Sequence, residues 1–172
     1  MNNKNPITPT QLAKAVQSCL ELQETARTIH GKRPFYSILL APDNESIIAS
    51  SASISHVRHS ETQLARQAAD QFSEDYLWKC TMVSTWEPCV MCTGTLYWAN
   101  IGRLVYAAAE TELRKLTGDN NRENVGLDLP CRNVLSKGQK DIEVIGPLVE
   151  QGWQKKVVEV SDRYWGPRRR RN

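Results

Sequence analysis

Cys89 and Cys92, in the stretch TWEPCVMC, stand three residues apart behind Pro88, and two of the three histidines in the chain, His56 and His59, fall in SHVRHSETQLARQ. If Pro88 leads into a helix, the two cysteines lie one turn apart on one face, at the end where the helix dipole favours thiolates. An isolated pair of this kind is also compatible with a redox couple or with two core cysteines. Two thiolates make half of a tetrahedral zinc site, and the histidines can complete it in two ways of opposite meaning. With both His56 and His59 the metal is closed and structural, and no chemistry follows. With His59 alone a fourth position remains for a water, which a metal makes nucleophilic near neutral pH. That arrangement needs a proton carrier, and Glu61, two residues beyond His59, has the right chemistry, although an acidic residue also suits a first helical turn. The spacing of His56 and His59 is tighter than the usual zinc-finger pair, so the open site, with His56 as a loop or pocket residue, is the better fit.

The elements that must hold these residues can be read from the rest of the chain. At 172 residues, 40% hydrophobic and 24% charged, it fits one folded domain, residues 1–165, with a basic tail at 166–172. No apolar run approaches a membrane span and the polar start lacks a leader's apolar stretch, so a cytoplasmic protein without membrane contact is expected. Five cysteines in no paired framework agree with a reducing compartment. The net charge of +3 is carried by the four arginines at 168–171, which leave 3 − 4 = −1 for everything else. A body so near neutral offers no broad nucleic-acid surface. Thr8 and Pro9 open a helix that runs to His30 and Gly31, and strands at 35–41 and 46–54 flank PDNE as a hairpin. An apolar stripe predicts a helix from Ser60 to Phe72, then a strand at 80–86, a helix from about Cys89 to Asn100 and a strand at 103–109. The stretch from Glu110 to Leu129 is polar, with TGDNNREN as a loop. A short helix between Pro130 and Gly138, a strand at 142–148 and a helix over about 150–163 complete the pattern. Helices alternating with strands predict an α/β fold, a three-layer α/β/α sandwich around a central sheet.

His-x-Glu followed by Pro-Cys-x-x-Cys is the signature of zinc deaminases acting on cytosine or adenine. HSE at 59–61 resembles the His-Ala-Glu of the cytidine and deoxycytidylate deaminase superfamily, EPCVMC at 87–92 resembles its Glu-Pro-Cys-x-Met-Cys, and IGRLVYA at 101–107 resembles the strand that follows. Over about residues 30–109 the chain is most similar to the guanine, cytosine and tRNA-adenosine deaminase branch, while its distal part resembles bacterial nucleoside deaminases. The resemblance implies a central mixed sheet, a zinc ion held by His59, Cys89 and Cys92, Glu61 as general acid and base, and a homodimer. It implies hydrolysis of the amine on a nucleobase or nucleoside to an oxo group, with release of ammonia. Two other readings stand beside it: a tRNA adenosine-to-inosine deaminase that uses the basic tail, and a zinc-containing binding module without activity. The chain departs from its relatives where many have Pro-Phe-Gly-Ala and it has Tyr36 and Ser37, and where an asparagine often reads the substrate and Ser51 or Ser53 is nearest. Tyr36, Ser53, Trp86 and Glu87 are the expected substrate contacts, Trp86 either stacking on a base or filling the core.

Overall fold

The computed structural model describes residues 4–119 and 121–169. Helix α1, Pro9–His30, has both ends written locally: Thr8 and Gln11 exchange hydrogen bonds as a capping box, Pro9 opens the first turn, and Gly31 at φ 60° closes it in the left-handed region. Strands β1 (Tyr36–Leu40) and β2 (Ile47–Ala52) form the expected antiparallel hairpin. Asp43 shapes its turn, its Oδ1 accepting from the backbone N–H groups of Glu45 and Ser46. Helix α2 (Ser60–Gln71) and the single turn α3 (Glu74–Leu77) lead to β3 (Thr81–Trp86). Helix α4 (Val90–Trp98) then joins β3 to β4 (Arg103–Ala108) as a parallel neighbour.

The sheet has the order β2-β1-β3-β4-β5, with β5 at Glu143–Ile145 parallel to β4 and β1 antiparallel to both of its neighbours. It is the mixed sheet that was expected. Every residue of β3 and β4 is buried, as central strands covered on both faces require. Alternation along the strands sends Ile38, Val83 and Val105 to the face packed by α1, α5 (Glu110–Thr117) and α7 (Trp153–Arg169). Leu39, Met82 and Leu104 go to the face packed by α2, α4 and α6 (Cys131–Leu135). Three layers result.

Four elements differ from the sequence reading. The polar stretch after Glu110 contains α5, whose buried Leu113, Leu116 and Thr117 make only a narrow stripe. The turn α3, which Ser73 caps, went unread because four residues carry no period. β5 covers three residues instead of seven, since Pro147 has no N–H to continue a ladder. Helix α7 starts at Trp153, after Gly152 at φ 76°, and runs beyond 163 to Arg169 with Trp165 and Gly166 buried. Of the tail read at 166–172, the first four residues thus continue α7, and residues 170–172 lie outside the described residues. Arg169 donates to Asp162 and to the Leu116 carbonyl, and Arg168 lies near Glu123. No described helix is long and apolar enough to cross a membrane.

Candidate active site

The site forms where β3 and β4 end and the antiparallel β1 begins, with Ser37 paired to Ser84 across the ladder. Two helices start there. His59 is the N-cap residue of α2 and Cys89 that of α4, both in extended backbone and neither using its side chain to cap its own helix. The side chains that usually satisfy a helix end are therefore free to face each other across the two amino termini. Glu61 and Cys92 follow within the first turns. The positive ends of two helices converge on groups that carry or develop negative charge.

Cys89 Sγ lies 3.6 Å from Cys92 Sγ and 3.7 Å from His59 Nδ1, and Cys92 Sγ lies 3.5 Å from His59 Nδ1. Zinc bonds of about 2.3 Å to sulfur and 2.0–2.1 Å to nitrogen at tetrahedral angles place two sulfurs about 3.8 Å apart and sulfur about 3.6 Å from nitrogen. The triangle therefore fits three corners of a zinc tetrahedron. Among the described residues, His59, Cys89 and Cys92 are the group of this kind, and His56 is not in it. His56 instead lines the adjoining cavity, so the closed four-ligand arrangement is not built. Thr62 Oγ1 donates to Cys92 Sγ at 3.3 Å, orienting that ligand from behind.

The electrostatics of these side chains follow from their contacts. The hydrogen bond from Cys92, helped by His59, holds Cys89 down to about 4, against the opposing effect of burial. Cys92 moves up, because it is the thiol that gives this bond, and burial and the nearby Glu61 push the same way. Hydrogen bonding to Cys89 raises His59. Burial raises Glu61 above the ordinary carboxylate range, while its own backbone N–H and His59 pull the other way. Its two oxygens are tied separately: Ser60 Oγ donates to Oε2 at 2.9 Å and Ser84 Oγ to Oε1 at 3.0 Å. Oε2 is also 3.6 Å from Cys92 Sγ, which sets the carboxylate beside the donor triangle.

A cavity of about 320 Å³ opens over the cluster, with Phe35, Trp86 and Leu113 as apolar wall and residues 122–127 as roof. Trp86 is a core residue, 2% exposed, and also part of the cavity wall. Glu87 also lines the cavity, but its carboxylate accepts from the backbone N–H groups of Glu110 at 3.2 Å and Cys131 at 3.0 Å, so it ties the starts of α5 and α6 together. Tyr36 and Ser53, read as substrate contacts, do not line the cavity. Tyr36 packs against the α1 core, with its hydroxyl 3.2 Å from Ser50 Oγ, while Phe35, just before β1, packs on Trp165 of that core and also lines the cavity. The Ser53 hydroxyl is buried against Arg33 at 3.4 Å.

The sequence reading missed Phe35, Glu110 and the roof. Glu110 directly follows β4, and ligands in open α/β sheets gather beyond the carboxyl ends of strands, so its position was a usable signal. Burial, reinforced by Cys89, Glu87 and Glu61, pushes its carboxyl up to about 7. Gly126 makes room for it, since a Cβ there would meet Glu110 Oε1 at 2.7 Å.

Known proteins are similar to this chain. The probable cytosine deaminase of Schizosaccharomyces pombe is 28% identical over 139 residues, 78% of this chain and 83% of that protein. The guanine deaminase of Bacillus subtilis is 31% identical over 73 residues, 42% of this chain and 47% of that protein. The solved structure of the guanine deaminase from Nitrosomonas europaea superposes with a TM-score of 0.65 at 20% identity, covering 93% of this chain and 88% of that one. The family model for the cytidine and deoxycytidylate deaminase zinc-binding region matches residues 9–108, which span α1 to β4 and contain the whole donor triangle and Glu61. With more than half of its length in that match, the chain belongs to the cytidine and deoxycytidylate deaminase family.

Proposed function

We propose that the protein is a zinc-dependent hydrolytic deaminase of a free nucleobase or nucleoside. The observation that carries this reading is the carboxylate of Glu61 set 3.6 Å from Cys92 Sγ, beside a three-donor triangle that leaves a tetrahedral ion one position short. His59, Cys89 and Cys92 would hold the zinc. When bound, it supplies an electrophilic centre that lowers the pKa of water toward neutrality. Glu61 takes the proton of the attacking water, passes it to the ring nitrogen beside the amine-bearing carbon, and protonates the amine as it leaves. The balance is one water consumed, one amine replaced by an oxo group and one ammonia released. Burial suits Glu61 to this double duty by bringing its proton affinity nearer to neutral pH. Phe35 and Trp86 give the base an apolar slot, and the roof closes over it. The relatives named as cytosine and guanine deaminases support a base or nucleoside as substrate.

Ammonia release by zinc-loaded protein across guanine, cytosine, adenine and their nucleosides tests the reading, with Glu61→Gln as control. Turnover that vanishes in the control supports it, and silence across the panel sinks it in favour of tRNA or a binding module. The tRNA alternative rests on the basic end, where Arg168 and Arg169 are already engaged with Glu123 and Asp162. A homodimer belongs to the same proposal, and Trp98, 79% exposed on α4, is the surface residue such an assembly would cover.

A further inference from the structure

Beneath Glu61 lies a closed ring of side chains. Ser37 Oγ on β1 is 2.9 Å from Ser60 Oγ at the start of α2 and 3.3 Å from Ser84 Oγ on β3, and these two hydroxyls are the ones that donate to Oε2 and Oε1 of Glu61. All three serines are 0–1% exposed. Two of them mark departures from the family pattern. The resemblance places Ser37 at the alanine of the Pro-Phe-Gly-Ala that many relatives have, and Ser60 at the alanine of His-Ala-Glu. Two such changes, 23 residues apart in the chain, bring their hydroxyls into contact under one carboxylate.

The terminal torsion of a glutamate is broad and soft, so burial alone leaves the plane of its carboxylate loosely set. One hydroxyl on each oxygen sets it. An ionised carboxylate has about four acceptor positions, and Ser60 from the start of α2 and Ser84 from β3 fill one on each oxygen, beside Glu61's own backbone N–H and the Cys92 Sγ 3.6 Å from Oε2. Ser37 touches no atom of Glu61; with the Ser60 and Ser84 protons given to the carboxylate, its own single proton goes to one of these two serines at a time, so it braces one tether while packing against the other.

Resting on the deaminase reading above, we infer that Ser60 and Ser84, braced by Ser37, are positioning residues that fix the orientation of the Glu61 carboxylate. A substitution that removes one tether weakens proton transfer without touching the metal donors or the cavity walls. Ser60→Ala and Ser84→Ala are each expected to lower kcat about 10- to 100-fold, the range of one hydrogen bond to a charged group. KM and zinc content stay near the wild-type values. Ser37→Ala should cost only a few-fold, and the Ser37→Ala/Ser60→Ala loss should be smaller than the product of the single losses, because the two hydroxyls share one contact. Each serine-to-alanine change removes one hydroxyl and keeps the Cβ, and a melting curve of each variant separates a loss of orientation from a loss of fold.

The deciding experiment pairs those kinetics, on the substrate found by the ammonia panel, with a crystal structure of the Ser60→Ala/Ser84→Ala protein. A kcat loss at constant KM and full zinc, with the Glu61 carboxylate found in more than one orientation, supports the inference. A kcat within about twofold of wild type, a loss that follows zinc or folding, or a carboxylate that keeps its single orientation overturns it. Should wild type deaminate nothing, the functional reading fails by itself, while the crystal comparison still decides whether the serines orient Glu61.

Discussion

The floor and the roof of the cavity are built by different means. The floor hangs from two helix N-caps and the end of a buried strand, and its atoms lie within 2.9–3.7 Å of partners that are themselves buried or half-buried. The roof crosses between α5 and α6 without helix or strand, exposes 87% of Val125 and 55% of Leu127, and is held largely by side chains borrowed from elsewhere. Arg33 donates to the Glu123 carbonyl, and Tyr164 and Arg168 reach its carboxylate. Chemistry that tolerates no displacement sits on rigid backbone, and a loop with replaceable contacts closes over it. If that contrast is sound, damage should shrink steadily from floor to roof.

The largest effect is expected at the metal donors. Cys89→Ser or Cys92→Ser should reduce bound zinc from about one per chain to a small fraction, with turnover lost and thermal stability lowered, because metal binding and folding are coupled. Elemental analysis beside a melting curve checks this. A serine variant that kept both zinc and turnover would erase the distinction between floor and roof. Glu61→Gln comes next. It leaves the donor triangle intact, so zinc stays, while kcat should fall about 10²–10⁴-fold.

The same contrast explains what could be read in the sequence. The donors sit at positions that local rules specify: a proline before a helix, an i,i+3 pair, a histidine and a glutamate spanning a helix start. Such spacing survives without knowledge of the fold, so the convergence of His59, Glu61, Cys89 and Cys92 at one place was legible, and the sheet that carries them nearly so. The cavity was not. Tyr36 was assigned to it on a bulky side chain, but Phe35, one residue before the strand, is the aromatic that lines it. Ser53 was assigned by comparison with relatives, but its hydroxyl is committed to Arg33. Glu110, directly after β4, was open to reading, but the roof reaches the site only once Arg33, Tyr164 and Arg168 hold Glu123, and no local pattern records that. The serine ring has the same character, since Ser37, Ser60 and Ser84 meet only once three elements have folded.

Glu110 lies between the two regions and yields a pH test. Its folded value of about 7 is above the ordinary 4.5, so between these values the folded protein keeps a proton that the unfolded chain has lost. Stability conferred by that proton is complete below about 4.5 and is lost as pH rises through 7. Glu110→Gln should therefore match wild type near pH ~4 and exceed it by about 1–3 kcal/mol at pH ~8 in metal-free protein, measured by denaturant midpoints. Zinc would offset the negative charge of Cys89, so the gap should narrow in loaded protein. An equal difference at both pH values would show that the carboxyl is not desolvated as its surroundings imply.

The smallest effect is expected where α7 holds the roof. Tyr164 donates to Glu123 Oε2 at 3.2 Å, and Arg168 Nε lies 3.6 Å from the same oxygen while stacked over the Tyr164 ring. These groups are substantially exposed, and ion pairs in such settings contribute about 0–1 kcal/mol. Glu123→Gln keeps a carbonyl acceptor for Tyr164 and removes only the charge, so it should raise KM no more than about fivefold, leave kcat nearly unchanged and lose its effect in high salt. A fall in kcat like that of Glu61→Gln would mean that the roof takes part in the chemical step, and the division between a rigid reacting floor and an adjustable cover would not hold.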